Sequence, residues 1–200
     1  SSFVGSSDVY KRQIQNNIKA QQSAGYRHWA TIENLKRIAE TSNFLTEHGI
    51  SSMEELTERC EAASASAARL KAELRETGVR IEELTLKMKH VAAYRQLKPI
   101  YDRYQASKDK EKFLRGYERE IILFEAAARE CKRLGAVPLP SAERMQAEMD
   151  ALTARRAALT AERQKARREE QDYAAVRRNA EEFLAPPRQT PTRQKDMELE

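Results

Sequence analysis

Apolar residues recur every seven positions over residues 53–91, in two interleaved series. One series is Met53, Cys60, Ala67, Leu74, Ile81 and Met88, and the other is Leu56, Ala63, Leu70, Thr77, Leu84 and Val91. A 3-4 repeat sustained over this length predicts a long helix with one narrow apolar seam. Because such a seam is not stable alone in water, we expect it to pack against a helix of similar length.

The segment before this helix, residues 14–50, predicts an N-terminal amphipathic helix. Its apolar positions are Ile18, Tyr26, Trp29, Ile32, Leu35, Ile38 and Leu45, with Phe44 as a further bulky residue. Gly49 is a suitable glycine for ending the helix. Ser52 and Glu55 form a capping-box pattern that opens the long helix, predicted over 52–97. Pro99 is expected to end or kink that helix, since a residue before proline avoids the α region.

Residues 100–134 predict tip helices, with a polar joint at residues 107–112 and a helix from Phe113 that Gly135 closes. Ser141 is the expected N-cap of a last long helix over 141–184. The predicted seam of this last helix is Met145, Leu152, Leu159, Ala166, Tyr173 and Ala180, flanked by Met149, Val176 and Leu184. Residues 185–200 are polar and rich in proline, which predicts a disordered tail.

The two long helices have opposite charge, which favours their pairing. Eight acidic and five basic residues lie between Glu54 and Glu83, whereas eight basic and four acidic residues lie between Arg155 and Arg178. An antiparallel arrangement would bring Glu54 to Glu61 near Arg177 and Arg178, and Glu82 and Glu83 near Arg155 and Arg156. We therefore predict an all-α fold, a long antiparallel coiled-coil hairpin over 51–184 with additional helices at its base and tip. A monomer is favoured over the alternative, a homodimer through the 53–91 seam.

Residues 1–13 carry a separate signal. Residues 8–13 can be encoded by a nucleotide string that resembles the transposon end used to prepare sequencing libraries. We expect residues 1–13 to be an adapter-derived, disordered leader, with the biological sequence beginning near Ile14 and preceded by a further N-terminal portion.

Composition narrows the functional classes. Charged residues make up 34% of the 200 residues, Gly and Pro number six each, and the formal net charge is +5. This composition is typical of long helices, and no apolar run approaches the roughly 18 residues that span a bilayer. Cys60 and Cys131 fall at apolar helical positions, which predicts reduced packing residues and a cytoplasmic setting.

Signals of catalysis are weak. His28, His48 and His90 have no Cys or His neighbour at ligand spacing, and no glycine-rich phosphate loop follows a strand pattern. We predict no catalytic, cofactor-binding or metal-binding residue in this chain, and no enzyme activity or cofactor.

The last helix carries the candidate binding residues. The candidate DNA-backbone contacts are Arg155, Arg156, Arg163, Arg167, Arg168, Arg177 and Arg178. Sequence-independent, salt-sensitive contact with phosphates is one interpretation; the other is that these arginines solvate the hairpin and complement its acidic helix. No aromatic interleaving suited to stacking on single strands accompanies them. Tyr26 and Trp29 are candidate docking residues, with anchoring of the first helix as the alternative.

Several short segments of the sequence resemble the region after the nuclease domain in relaxases of the mobilisation-nuclease family, from bacterial plasmids and conjugative elements. The resemblance covers about residues 14–184. These segments are 20–26 (AQQSAGY), Trp29-Ala30, Asn34-Leu35-Lys36, 43–50 (NFLTEHGI), Met88-Lys89-His90 with Tyr94, 98–102 (KPIYD) with Tyr104, 118–123 (EREIIL), 125–128 (EAAA) and Leu139-Pro140.

The resemblance implies a parent protein that nicks one DNA strand at an origin of transfer, using a tyrosine and a metal held by histidines. No tyrosine or histidine of this sequence matches those motifs, so no catalytic residue or metal ligand is carried over. The implied role is a non-catalytic helical C-terminal region that handles DNA or docks to other transfer proteins, without a membrane. The alternative is a structural coiled-coil interaction or oligomerisation module with no nucleic-acid role.

Overall fold

The computed structural model describes the backbone of residues 24–185, and the side chains of that range from Ile32 onward. This part of the chain forms four helices and no strand: α1 (Ala24–Glu47), α2 (Met53–Ala106), α3 (Lys110–Arg133) and α4 (Ala142–Leu184). The all-α prediction is therefore confirmed. The expected leader over 1–13 and the expected tail, apart from Ala185, lie outside the described residues.

Two compact units divide these helices. The described part of the first unit comprises residues 24–67 and 165–185, and the second unit is Ala68–Gln164. In the first unit, α2 runs antiparallel to α4: Cys60 donates through Sγ to the carbonyl of Tyr173 at 3.4 Å, and Ser66 shares a groove with Ala166. α1 packs where α2 begins and α4 ends.

The second unit repeats the antiparallel pairing. Glu73 of α2 bonds Arg155 of α4, and Arg95 donates to the carbonyl of Pro140, so rising numbers on α2 meet falling numbers on α4. α3 belongs to this unit, between the end of α2 and the start of α4. Within each unit the arrangement is that of a helical hairpin with one additional helix, which confirms the predicted fold class.

The predicted seam of α2 is the packed side of the helix. Every member of the Leu56–Val91 series is buried, including Thr77, and every member of the Met53–Met88 series is half-buried. In the first unit Leu56 and Ala63 pack with Tyr173, Val176 and Ala180 of α4. In the second unit Leu84 and Val91 pack with a cluster comprising Cys131, Ala136, Met145 and Leu152. The apolar seam is thus filled by residues of the same unit.

Two glycines end helices in the way the sequence predicts. Gly49 and Gly135 have φ of 64° and 68°, the left-handed region that side chains disfavour. Behind Gly49, the Ile50 amide donates to the Leu45 carbonyl at 2.9 Å. Behind Gly135, the Ala136 amide donates to the Cys131 carbonyl at 2.8 Å. These are Schellman caps, and in each the residue after the glycine, Ile50 or Ala136, is buried.

Of the two outcomes expected at Pro99, an end of the long helix is wrong. α2 continues through Pro99 to Ala106. A proline inside a helix costs about 3 kcal/mol because it removes a hydrogen bond and crowds the carbonyl four residues earlier. The residues after it offset that cost by packing on α3: Tyr101 stacks on Phe124 with ring centroids 4.2 Å apart, and Tyr104 lies 6.0 Å from Phe113.

Three predicted apolar positions are exposed rather than packed. Ile32 and Leu35 of α1 face solvent, because α1 packs through the stripe that carries Ile38, Thr41 and Leu45. Leu184 is 42% exposed. Its neighbour Phe183 takes the buried position, since it lies seven residues after Val176 and three after Ala180 on the packed side of α4.

Candidate nucleic-acid interface

α4 positions the seven candidate arginines. The Ser141 hydroxyl accepts from the Arg144 amide at 3.1 Å, so Ser141 caps the helix as predicted. Met145, Leu152 and Leu159 are buried at seven-residue spacing in the second unit, and Tyr173 and Ala180 continue that spacing in the first. With one side of α4 fixed by these contacts, side chains at the other positions face outward.

In the second unit, Arg155 is held by carboxylates. Its Nη2 lies 3.0 Å from Glu73 Oε2, and its Nη1 lies 3.9 Å from Glu162 Oε1. The expected approach of Arg155 to Glu82 and Glu83 is wrong, because the packing of the seam places Arg155 opposite Glu73, more than two and a half turns of α2 before Glu83. Arg155 therefore serves the pairing of the helices.

Arg156 and Arg163 are the other two candidates in this unit. Arg156 is exposed beside a groove lined with Leu74 and Thr160, and Arg163 is half-buried. Neither forms an ion pair with any residue that the structure describes. Their guanidinium charge is therefore not neutralised by a close carboxylate.

In the first unit, Arg177 differs from the other three candidates. Its Nε donates to Glu181 on its own helix at 3.0 Å, and it lines a groove together with Cys60 and Glu61. Of the acidic residues expected near Arg177 and Arg178, Glu61 lines this groove with both arginines, whereas the ion pair of Arg177 is made within α4. Arg167, Arg168 and Arg178 are exposed and make no ion pair within the described residues.

A second basic surface was not anticipated from the sequence. Outward positions of α3 carry lysines and arginines at spacings of three, four and ten residues: Lys112, Arg115, Arg119, Arg129 and Arg133. All five are exposed, and they lie within the second unit. The spacing of these basic residues is visible in the sequence, and it is the burial of Ile121 and Phe124 that shows which side of α3 faces outward.

The cysteines and histidines offer little chemistry. Burial raises the pKa of both the Cys60 and the Cys131 thiols, so both favour the unreactive protonated form. Both are free cysteines. His48 is exposed, stacks on Phe44 with centroids 3.9 Å apart, and bonds its carbonyl through Nδ1 at 2.8 Å. In residues 32–185, no three His, Cys, Asp or Glu side chains are grouped so as to hold a metal ion.

Tyr26 and Trp29, the candidate docking residues, lie in the turns of α1 whose side chains are outside the described set. None of the four described helices combines the length and the apolar character that a bilayer span requires.

Comparisons with protein-family models, with curated proteins and with solved structures found no match to this chain.

Proposed function

We propose that this chain is a non-catalytic helical region of a mobilisation relaxase, which assists DNA transfer by contacting the phosphate backbone through arginines of α4. The relaxase origin is supported by the short sequence segments that resemble the mobilisation-nuclease family. The observation that carries the DNA contact is that Arg167, Arg168 and Arg178 are exposed and free of ion pairs to described residues. An arginine without a carboxylate partner can neutralise a phosphate and release its counterion.

The proposed binding is sequence-independent and sensitive to salt. Arginines on a helix that is packed along its other side can reach phosphates without entering a groove of the duplex, and phosphate contacts carry no base information. Such a region would hold DNA near the strand-transferring domain of its parent protein, in the bacterial cytoplasm. Docking to other transfer proteins is the second form this assistance could take.

Titration of a short random-sequence DNA duplex with the full chain, followed by fluorescence anisotropy between about 50 and 200 mM salt, tests the DNA contact. We expect the slope of log K against log salt to fall by roughly 2 to 3 in magnitude when Arg167, Arg168 and Arg178 are all changed to Gln. The control K36Q/K71Q/K89Q removes the same charge from exposed lysines of α1 and α2 that make no described ion pair. Absence of binding at the lowest salt would overturn the proposal.

The alternative function, a structural interaction or oligomerisation module, has one observation in its favour. Arg155 pairs with Glu73 and Arg177 with Glu181, so part of the arginine set serves the helices themselves. Against oligomerisation through the 53–91 seam stands the burial of that seam inside each unit. Analytical ultracentrifugation separates the two: we expect the mass of one chain, and a dimer would favour the alternative.

The relaxase origin has its own test, which does not depend on DNA binding. Sequencing the genomic locus upstream of the codon for Ile14 is expected to reveal a nuclease domain with a tyrosine and a histidine cluster. An unrelated upstream sequence would contradict the relaxase origin and leave the measured DNA affinity as an independent fact.

A further inference from the structure

The outward side of α3 carries four exposed cations, Lys112, Arg115, Arg119 and Arg129, which we define as its basic surface. Exposed glutamates at positions 111, 118 and 125 are interleaved with them. Spacings of three and four residues place Lys112, Arg115 and Arg119 on the same side of a helix, and Arg129, ten residues on, lies about 80° around the axis from Arg119. α3 bends at Tyr117, where φ is −136° and ψ is 22°. The packed side keeps its spacing across this bend, since Phe113, Tyr117, Ile121 and Phe124 are all half-buried or buried while the four basic residues are exposed.

The charges of this basic surface have no close carboxylate partner, although the Arg129 charge adds to the lowering of the Glu130 pKa. None of the four forms an ion pair with a residue in the described part. The next basic residue on the same side, Arg133, is instead held at 2.7 Å by Glu130, whose pKa the guanidinium lowers. Arg133 is thus neutralised by a carboxylate on its own helix, and the four residues of the basic surface have no such ion pair.

Length and rigidity make the basic surface suited to a linear polyanion. Beyond the bend at Tyr117, Arg119 and Arg129 are separated by about 15 Å along the helix axis at 1.5 Å per residue. The opposite side of α3 is anchored through Ile121, Phe124, Ala127 and Cys131, all of them buried. The four charges are therefore presented by a fixed helix, so binding a partner does not require the backbone to be ordered first.

We propose that the basic surface of α3 is a phosphate-backbone binding site for double-stranded nucleic acid, separate from the arginines of α4. A duplex carries one phosphate charge for about every 1.7 Å of axis, so four cations find partners without any sequence requirement. The proposal goes beyond the α4 contacts and does not depend on a relaxase origin.

Single-stranded binding is disfavoured by the aromatic residues nearby. A row of rings runs through Tyr101, Tyr104, Phe113 and Tyr117, with successive centroids 6.1, 6.0 and 4.8 Å apart. The guanidinium carbon of Arg103 lies 5.7 Å from the centroids of both Phe113 and Tyr117. These rings are half-buried and contact one another and Arg103, which leaves less ring surface on which bases would stack.

A membrane surface is disfavoured by the position of the apolar residues. A helix that binds lipid inserts a broad apolar side into the interface. On α3 that apolar side is buried in the second unit, and the exposed apolar residues are Ile122 and Leu123, which are 54% and 48% exposed. Two such residues among the cations do not form the wide apolar face that insertion requires.

The experiment compares three variants of the full chain on the same random-sequence duplex. Each lacks three positive charges: one on α3, one on α4 (R167Q/R168Q/R178Q) and one control. We expect R115Q/R119Q/R129Q to weaken binding at least tenfold at about 50 mM salt and to reduce the salt slope by roughly 2 to 3, while the control K36Q/K71Q/K89Q, whose lysines lie on α1 and α2, changes the slope by less than about 1. A fourth variant, R115K/R119K/R129K, keeps the charges and is expected to keep the slope. Circular dichroism establishes that each variant is folded.

The outcomes distinguish the α3 site from the α4 contacts, and nucleic acid from other polyanions. If R115Q/R119Q/R129Q binds the duplex as the control does, the basic surface is not the site, and the proposal fails. Loss of binding in R167Q/R168Q/R178Q alone would support the α4 contacts and overturn the α3 site; loss in the α3 variant alone would do the reverse. Equal or tighter binding to phosphatidylserine vesicles or to polyglutamate, relative to the duplex, would also overturn a nucleic-acid site.

Discussion

Arg37 Nη2 lies 2.6 Å from Glu182 Oε2, and this contact fastens α1 to the last turn of α4 in the first unit. The same nitrogen donates to Asn179 Oδ1 at 2.7 Å, and the guanidinium carbon lies 5.6 Å from the centre of the Phe183 ring. Asn179 in turn donates to the hydroxyl of the buried Thr41 at 3.3 Å. One arginine thus joins a carboxylate, an amide and an aromatic ring across two helices.

Replacing Arg37 with Gln should loosen α1. The Glu182 side chain is 61% exposed, so the ion pair is screened; we expect the loss of all three contacts to lower the free energy of unfolding by about 1 kcal/mol. Urea denaturation measures this. Arg177→Gln is the matched control, because it removes an exposed pair within α4 and should cost no more than about 0.5 kcal/mol. Equal effects would contradict the role of Arg37.

Leu159→Ala should be among the most destabilising substitutions. Leu159 is fully buried, at 0% exposure, on the packed side of α4. Removing a buried leucine side chain in this way costs about 2 to 5 kcal/mol, including the cavity left behind. Leu184→Ala, on the same helix but exposed, should cost less than about 0.5 kcal/mol. Thermal denaturation of the two variants compares them, and similar melting temperatures would be inconsistent with the observed packing.

Thr77→Val should be neutral or stabilising. Thr77 is the polar residue in the buried series of α2, and its hydroxyl donates at 2.8 Å to the carbonyl of Glu73 within the same helix. Valine keeps the β-branched shape and removes a hydroxyl from an apolar seam. Because that carbonyl lies inside α2 and keeps its helical partner, we expect a gain of up to about 1 kcal/mol. A measured loss larger than that in urea denaturation would show that the hydroxyl is needed.

The Glu55 carboxylate should make stability depend on pH in the acid range. It accepts from the Ser51 amide at 2.8 Å, and this bond, with a second one from the Ser51 hydroxyl, lowers the pKa of Glu55. A carboxyl whose folded pKa is lowered stabilises the fold above its unfolded pKa and loses that contribution as the pH falls through the folded value.

Glu55→Gln keeps a side-chain oxygen that can accept from the Ser51 amide and removes the titration. We expect this variant to melt at a lower temperature than the natural chain near neutral pH. The difference should shrink as the pH falls below the ordinary pKa of a glutamate. Melting curves recorded across the acid range check this, and a constant difference at every pH would refute it.

Glu73 and Arg155 should be coupled, and Glu82 and Arg155 should not. The first two are 3.0 Å apart, and both are partly exposed. A double-mutant cycle with Glu73→Gln and Arg155→Gln should give a coupling energy of about 0.2 to 1 kcal/mol. The same cycle with Glu82→Gln is the control and should give a value near zero. Coupling to Glu82 in place of Glu73 would restore the register expected from charge alone.

Local rules read from the sequence were most accurate where one residue decides the outcome. Gly49, Gly135 and Ser141 end or open helices through their own backbone or hydroxyl, so their roles follow from residue type. The capping box shows the limit of such rules: Glu55 reaches the Ser51 amide, one residue before the Ser52 that was expected. The candidate site was only partly predictable, because pairing to a carboxylate depends on residues distant in sequence.

The sequence by itself determined that the chain is helical, where the apolar seams run and that two long helices pair antiparallel, because heptad spacing and cap residues act within a few turns. The tertiary structure alone decided the register that joins Arg155 to Glu73 and the passage of α2 through Pro99. It also decided which arginines remain without a carboxylate. These features depend on the balance between packing at one place and a local cost at another, which no spacing of residues records.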